Sequence, residues 1–165
     1  MTQTDAPAVL TPSLMSPEYL LAHWQSNRRL TRRVTEAFPE DQLFTFTAAP
    51  PMRPFGELAW EVVGLGDYVL RGLNTDDWSW APPAGPPPHD RAALLAAWDE
   101  QTPRLEAAVP VYPPDRYQEK RDMAWGHFSP LDTVLYAIEN EIHHRGQGYV
   151  YLRALGIQPP AFYER

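Results

Sequence analysis

The sequence contains no cysteine, and among its basic residues only Lys120 is a lysine. Without cysteine the chain can form no disulfide framework, no thiolate zinc site and no cysteine nucleophile. Its formal net charge is −7, from 14 basic and 21 acidic residues. This balance disfavours generic binding to a phosphate backbone, so we expect no nucleic-acid partner.

Long apolar runs are also missing, so the sequence predicts no membrane-spanning helix. The first residues show no basic stretch followed by an apolar one, which argues against a secretory signal. These absences favour a cytoplasmic protein. Nucleophile elbows, phosphate-binding glycine loops and dinucleotide fingerprints are absent as well.

Proline, by contrast, is abundant and organises the chain. The sequence has 165 residues, 44% of them apolar, which suits a single domain over residues 1–165 with a poorly ordered tail at residues 1–15. Its 19 prolines separate four blocks with apolar residues at helical spacing. The predicted helices are Pro17 to Phe38, Pro54 to about Leu73, Asp90 to about Val109, and Pro130 to about Leu155. They predict an all-α fold, a four-helix bundle with long connections.

Local signals mark where these helices begin and end. Ser16 and Ser129 are predicted N-caps, and Gly156 is a predicted left-handed C-cap. Pro103 should kink or split the third helix. The stretch from Asp41 to Pro51 has no partner strand and is interpreted as an extended crossover.

Polar residues interrupt the first helix in two ways. Asn27 and Thr31 lie on its apolar stripe, where they either line a pocket or bond each other in a partly buried seam. A cluster of basic residues also has helical spacing, and we interpret it as a solvated face, with a partner surface as the alternative. Its members are Arg28, Arg29, Arg32 and Arg33.

Candidate site residues come from the second and fourth helices. Glu61 falls inside an apolar stripe, between Leu58 and Leu65, where a carboxylate should be paired, ligating or protonated. Asn140 and His144 are four residues apart and therefore face the same way. Facing helices can hold a metal ion with such side chains. A hydrogen-bonded buried histidine and a snorkelling glutamate are the simpler alternative.

Three segments around these positions show a family pattern. They are Pro54 to Glu61, Glu141 to Gln147, and Tyr151 to Gly156 with Pro159-Pro160. The sequence resembles the DinB-like family, bacterial four-helix bundles named for DNA-damage induction. The resemblance implies a divalent metal, often nickel or zinc, bound by one histidine of the second helix and two histidines four apart in the fourth. It also implies that some relatives transfer or isomerise substrates with low-molecular-weight thiols.

At the ligand positions of the family this sequence has Glu61, Asn140 and His144, so only one histidine of three remains. A neutral amide is a poor ligand for zinc or nickel, and manganese usually demands more carboxylates than are present. We therefore predict that nickel, zinc or manganese binds weakly or not at all. A Glu61–His144 hydrogen bond could take the place of the metal, or Glu141 or His143 could move in.

Two functional hypotheses follow from the family resemblance and from the replacement of two ligand histidines. The first is a metal- or thiol-dependent transferase or hydrolase that acts on a small molecule in the bundle pocket. The second is a non-catalytic ligand-binding or stress-response module that has lost the metal. The resemblance also implies a homodimer. Trp125 and His127 either cover the pocket or lie in a surface loop.

Overall fold

A computed structural model describes residues 15–81 and 85–165. In these ranges the chain forms four α-helices, a short 3₁₀ turn at Arg116–Gln118 and one β-hairpin. The helices are α1 (Pro17–Ala37), α2 (Phe55–Thr75), α3 (Arg91–Ala108) and α4 (Pro130–Ala154), and the hairpin strands are β1 (Arg121–Met123) and β2 (Gly126–Phe128). The predicted all-α bundle is confirmed. No helix in the described ranges is both long and apolar enough to cross a membrane.

The helix ends follow the local signals. The Ser16 hydroxyl accepts from the amide of Tyr19, and Ser129 forms a reciprocal capping box with Asp132. After α4, Gly156 adopts a φ of 76°, which glycine tolerates without strain. Residues 1–14 of the expected N-terminal tail lie outside the described part of the chain. Its last residue, Met15, packs against the core.

The relative directions of the helices follow from which helix ends pack into the same core cluster. One core cluster joins the end of α1, the starts of α2 and α3, and the end of α4, through residues such as Phe38, Phe55, Leu94 and Leu152. Therefore α1 and α4 run in one direction, and α2 and α3 run in the other. In this arrangement α4 packs against both α1 and α2. Parallel neighbours such as α2 and α3 require a long connection, which residues 76–90 supply.

Two local predictions were wrong: that Pro103 splits the third helix, and that the stretch from Asp41 to Pro51 is extended. The third helix continues through Pro103, because Leu94, Trp98 and Leu105 pack on the bundle on both sides of it. The stretch expected to be an extended crossover instead forms successive turns at residues 40–45, which bury Leu43 completely. The connection before α4 contains the β-hairpin, in which Arg121 pairs with Phe128.

A buried polar layer separates the two halves of the core. Arg28 and Thr31 from α1, Gln101 from α3, and Glu141 and Arg145 from α4 are all almost fully inaccessible. The interpretation of the arginine cluster as a solvated face was therefore wrong for Arg28. Its guanidinium donates to the Gln101 Oε1 atom and to the Trp98 carbonyl oxygen, both at 2.8 Å.

Candidate functional site

A carboxylate, an imidazole and an amide meet between α2 and α4. The Oε1 atom of Glu61 lies 3.0 Å from Nε2 of His144 and 3.4 Å from Nδ2 of Asn140. The Asn140 Nδ2 and His144 Nε2 atoms are 3.3 Å apart. The structure thus brings together all three residues that the sequence singled out.

Protonation at this cluster follows from the state of Glu61. The hydrogen bond from His144, aided by one from Arg53, lowers the pKa of the Glu61 carboxyl to about 2 against the desolvation that raises it. An ionised carboxylate only accepts, so the His144 Nε2 atom must carry a proton and donate to it. Asn140 Nδ2 then donates to the same carboxylate oxygen.

Arg53 is a member of the cluster that sequence reasoning missed. Its Nη2 atom donates to Glu61 Oε2 at 2.6 Å. Arg53 lies in the connection before α2, eight residues from Glu61, and no periodic pattern links the two positions. The side chain of Glu61 remains 38% exposed. Glu61 is therefore only half-buried, whereas the His144 side chain beside it is 8% exposed.

The neighbours of His144 on α4 contribute unequally. Gln147 places its Oε1 atom 3.4 Å from His144 Nδ1, and its amide nitrogen lies 3.0 Å from the exposed His143 ring. Glu141 points away from the cluster, into the buried polar layer. The possibility that Glu141 moves in as a ligand is therefore unsupported by its position.

Within the polar layer, Glu141 links α1 to α4. Its Oε1 atom accepts a 2.6 Å hydrogen bond from Thr31, and the guanidinium of Arg145 lies 3.8 Å away. Arg145 also donates to the side chain of Asn27 at 3.0 Å. Burial raises the pKa of Glu141 and lowers that of Arg28 to about 10. Asn27 and Thr31 therefore belong to a buried seam and do not line the site.

We tested whether the cluster fits the zinc or nickel ion that the family resemblance implies. Tetrahedral ligands with bonds of about 2.0 Å lie about 3.3 Å apart, so the separations alone would allow an ion. The donor set does not fit: Asn140 turns its N–H₂ group inward, and both Glu61 oxygens accept from cationic or amide groups. Across residues 15–81 and 85–165, no three His, Cys, Asp or Glu side chains are grouped as a metal site requires.

The side chains of the loop before α4 contact residues outside this cluster. Trp125 occupies the hairpin turn and packs on Tyr68 and Tyr136, with ring centroids 5.0 Å and 6.1 Å away. His127 is exposed and lies 3.1 Å from Asp122. Among the described residues neither side chain forms a hydrogen bond, an ion pair or a ring contact with Glu61 or His144, so the surface-loop alternative fits better for His127.

The fold and the cluster define a class of protein: a four-helix bundle with a polar site between its second and fourth helices. A sequence model of the DinB family matches residues 10–165. The chain therefore belongs to the DinB family.

Solved structures agree on the fold. A DinB-like protein from Bacillus cereus superposes with a TM-score of 0.71 at 20% identity, covering 88% of this chain and 97% of its own. A DinB-like protein from Bacillus subtilis gives a TM-score of 0.71 at 18% identity, with the same coverage. The search of curated proteins gave no match.

Proposed function

We propose that this DinB-family chain works without a resident metal ion, as a non-catalytic module that binds a small organic ligand. The observation that supports this is that both carboxylate oxygens of Glu61 already accept hydrogen bonds. Its two carboxylate oxygens accept from His144 on α4 and from Arg53 before α2. A metal ion at this position would have to displace a proton from His144 and compete with a guanidinium.

The hydrogen bond between Glu61 and His144 also replaces the structural role of a metal. A metal between α2 and α4 would tie the two helices together, and the Glu61–His144 bond does so with one carboxylate and one imidazole. Charge-assisted hydrogen bonds are about twice as strong as neutral ones. The scaffold therefore does not need an ion to hold these helices at this level.

Restoring the two missing histidines tests the proposal. The double change Glu61→His and Asn140→His would supply, with His144, the three-imidazole set of a catalytic-type zinc or nickel site. We expect nickel affinity to rise at least ~30-fold over wild type. Losing a residue that only supports a ligand typically costs 10–100-fold in metal affinity, and a direct ligand should contribute more. Isothermal titration of both proteins, prepared without added metal, measures this change.

A matched control separates the site from any histidine pair on a helix. Glu139→His creates a pair with the exposed His143, four residues away on the same helix, without a partner on α2. We expect this variant to gain much less affinity, and nickel to raise the melting temperature of the double variant alone. If wild type binds nickel as tightly as the double variant, Glu61 and Asn140 are competent ligands. That result would favour a metal- or thiol-dependent transferase or hydrolase instead.

We also propose that the chain forms a homodimer. Two-fold dimers are the commonest soluble oligomers, and Ile142 and Val150 leave apolar side chains exposed along the outer face of α4. Light scattering at tens of micromolar protein should give twice the chain mass. A monomeric mass would contradict the proposal.

A further inference from the structure

Four large aromatic side chains are exposed together at the hairpin end of the bundle. Trp80, Trp125, Phe128 and Tyr136 are each between 40% and 47% exposed. They come from different segments: the connection after α2, the hairpin turn, β2 and α4. The Trp80 and Trp125 rings are 5.2 Å apart, and the Trp125 and Tyr136 rings are 6.1 Å apart. Exposed apolar patches of this kind mark interaction sites on soluble proteins.

The exposed rings rest on buried aromatic side chains. Tyr68 and Trp78 are buried beneath them, and the Tyr68 hydroxyl donates to the Trp78 carbonyl oxygen at 2.8 Å. The Tyr68 ring lies 5.0 Å from that of Trp125. Gly72 lets the Trp78 ring lie directly on α2, because any Cβ there would overlap it. The hairpin is tied to α4 by a 2.9 Å contact between the Thr133 hydroxyl and the sulfur of Met123.

A cleft of about 500 Å³ lies beside these rings. Three of them line it, together with three polar residues: Lys120, Asp132 and Thr133. A volume of this size, with aromatic side chains and a few polar groups in the lining, is typical of small-molecule sites. Tyr136 precedes Asn140 by one helical turn, so the cleft continues the face of α4 that carries the Glu61–His144 pair.

The polar residues of the cleft indicate the charge of a ligand. The Asp132 carboxylate is engaged in the α4 capping box, and the Thr133 hydroxyl contacts Met123 and the Ser129 carbonyl oxygen. Lys120, in contrast, forms no ion pair within 4.0 Å in the part of the chain that the structure describes. Its positive charge only helps to lower the pKa of the Asp132 carboxyl. Lys120 is therefore the charged group best placed to meet a ligand.

We propose that this cleft binds a planar aromatic group carrying an anionic substituent, with the ring among Trp125, Phe128 and Tyr136 and the anion toward Lys120. Aromatic rings prefer offset or edge-to-face partners, and the Trp125 and Tyr136 rings that line the cleft are inclined at 52° to each other. The inference rests on the proposed function only in taking the ligand to be organic; it requires no event at Glu61 or His144.

Binding of three small probes tests the cleft. Naphthalene-2-carboxylate carries the ring and the anion, naphthalene-2-methanol carries the ring alone, and cyclohexanecarboxylate carries the anion alone. Isothermal titration in the presence of a chelator should show naphthalene-2-carboxylate binding tightest and cyclohexanecarboxylate weakest. Saturable quenching of tryptophan fluorescence should accompany binding of the naphthalenes.

Variants identify the residues involved. Tyr136→Ala should weaken binding of both naphthalenes about 3- to 10-fold. Lys120→Gln should weaken binding of naphthalene-2-carboxylate by about 2- to 5-fold and leave binding of naphthalene-2-methanol unchanged. Phe162→Ala removes an exposed ring at the C-terminal segment, outside the cleft lining, and should change neither affinity. Both target side chains are exposed or at the rim, so the variants should fold.

Three results would overturn the proposal: no saturable binding, equal binding of all three probes, or equal affinity in wild type and Tyr136→Ala. If the rings are instead buried against a second copy of the chain, no probe should bind saturably, and the protein should have a dimeric mass that Tyr136→Ala reduces. Failure here leaves the nickel titration unaffected. Conversely, tight nickel binding with normal probe binding would overturn the metal-free function alone.

Discussion

Replacing Glu61 by glutamine provides the sharpest test of the charge-assisted hydrogen bonds that Glu61 accepts between α2 and α4. The change keeps the shape of the side chain but removes the charge that His144 and Arg53 bind. Because the pKa of the folded-state carboxyl is lowered from 4.5 to about 2, the charged form of Glu61 stabilises the folded protein at neutral pH. We therefore expect Glu61→Gln to lower the free energy of unfolding.

The size of the loss can be bounded. A shift of about 2.5 pKa units corresponds to about 3.4 kcal/mol at most. Because 38% of the Glu61 side chain is exposed, solvent screening reduces this figure, and we expect about 1 to 2 kcal/mol at pH 7. For a protein of this size, that loss lowers the urea midpoint by about 0.5 to 1 M.

The pH dependence carries the sign of the effect. A group whose pKa is depressed on folding contributes its full stabilisation above the unfolded value and loses it as the pH falls through the folded value. The difference between wild type and Glu61→Gln should therefore be constant above about pH 5 and vanish near pH 2. Urea denaturation followed by circular dichroism across this range measures the difference.

A matched control and a coupling test complete the experiment. Glu139→Gln makes the same change at an exposed position of α4 and should alter stability by less than about 0.5 kcal/mol. A double-mutant cycle of Glu61→Gln with His144→Gln should give a coupling energy above about 0.5 kcal/mol. No coupling, or a stability difference that persists unchanged at pH 2, would refute the assigned hydrogen bond between an ionised Glu61 and His144.

Two further pairs of variants test the packing that positions the site. Gly148→Ala should cost about 1 to 3 kcal/mol, because its Cβ would lie 2.5 Å from the buried Phe55 ring, whereas Gly146→Ala, with open space around it, should gain about 0.5 to 1 kcal/mol. Arg28→Ala should cost about 3 to 5 kcal/mol by breaking the buried polar layer, whereas the exposed Arg29→Ala should change stability by less than about 0.5 kcal/mol. Thermal or urea unfolding measures both pairs; equal effects within either pair would contradict the packing described.

Much of the fold could be predicted because its signals are local. A serine followed by proline begins α1 and α4, and in both cases the hydroxyl caps an amide three residues ahead. Gly156 ends α4 by the same kind of short-range geometry. Glu61, Asn140 and His144 were identified from the family pattern and from helical spacing, and the structure places them in contact. Whether they hold a metal stays a prediction.

The wrong and missed predictions share one cause: the spacing of residues along one helix does not show which other helices they pack against. The spacing of Arg28 and Arg29 indicates only that both are on α1. Trp98 and Gln101 on α3 decide that Arg28 is buried, and its guanidinium lies 4.3 Å from the Trp98 ring. Likewise Arg53, in the connection before α2, contacts Glu61 within that helix, and no helical spacing predicts this contact.

The sequence by itself therefore determined the helix limits, the all-α class and the residues at the family positions, because each depends on neighbours within about four residues or on a motif. Only the tertiary structure decided the direction of the helices, the continuity of α3 through Pro103 and the partners of Glu61. These depend on contacts between residues far apart in the chain, such as the 83 positions that separate Glu61 from His144. Burial then sets the electrostatics, because a charge excluded from water must be paired or hydrogen-bonded, and the fold decides which partners are within reach.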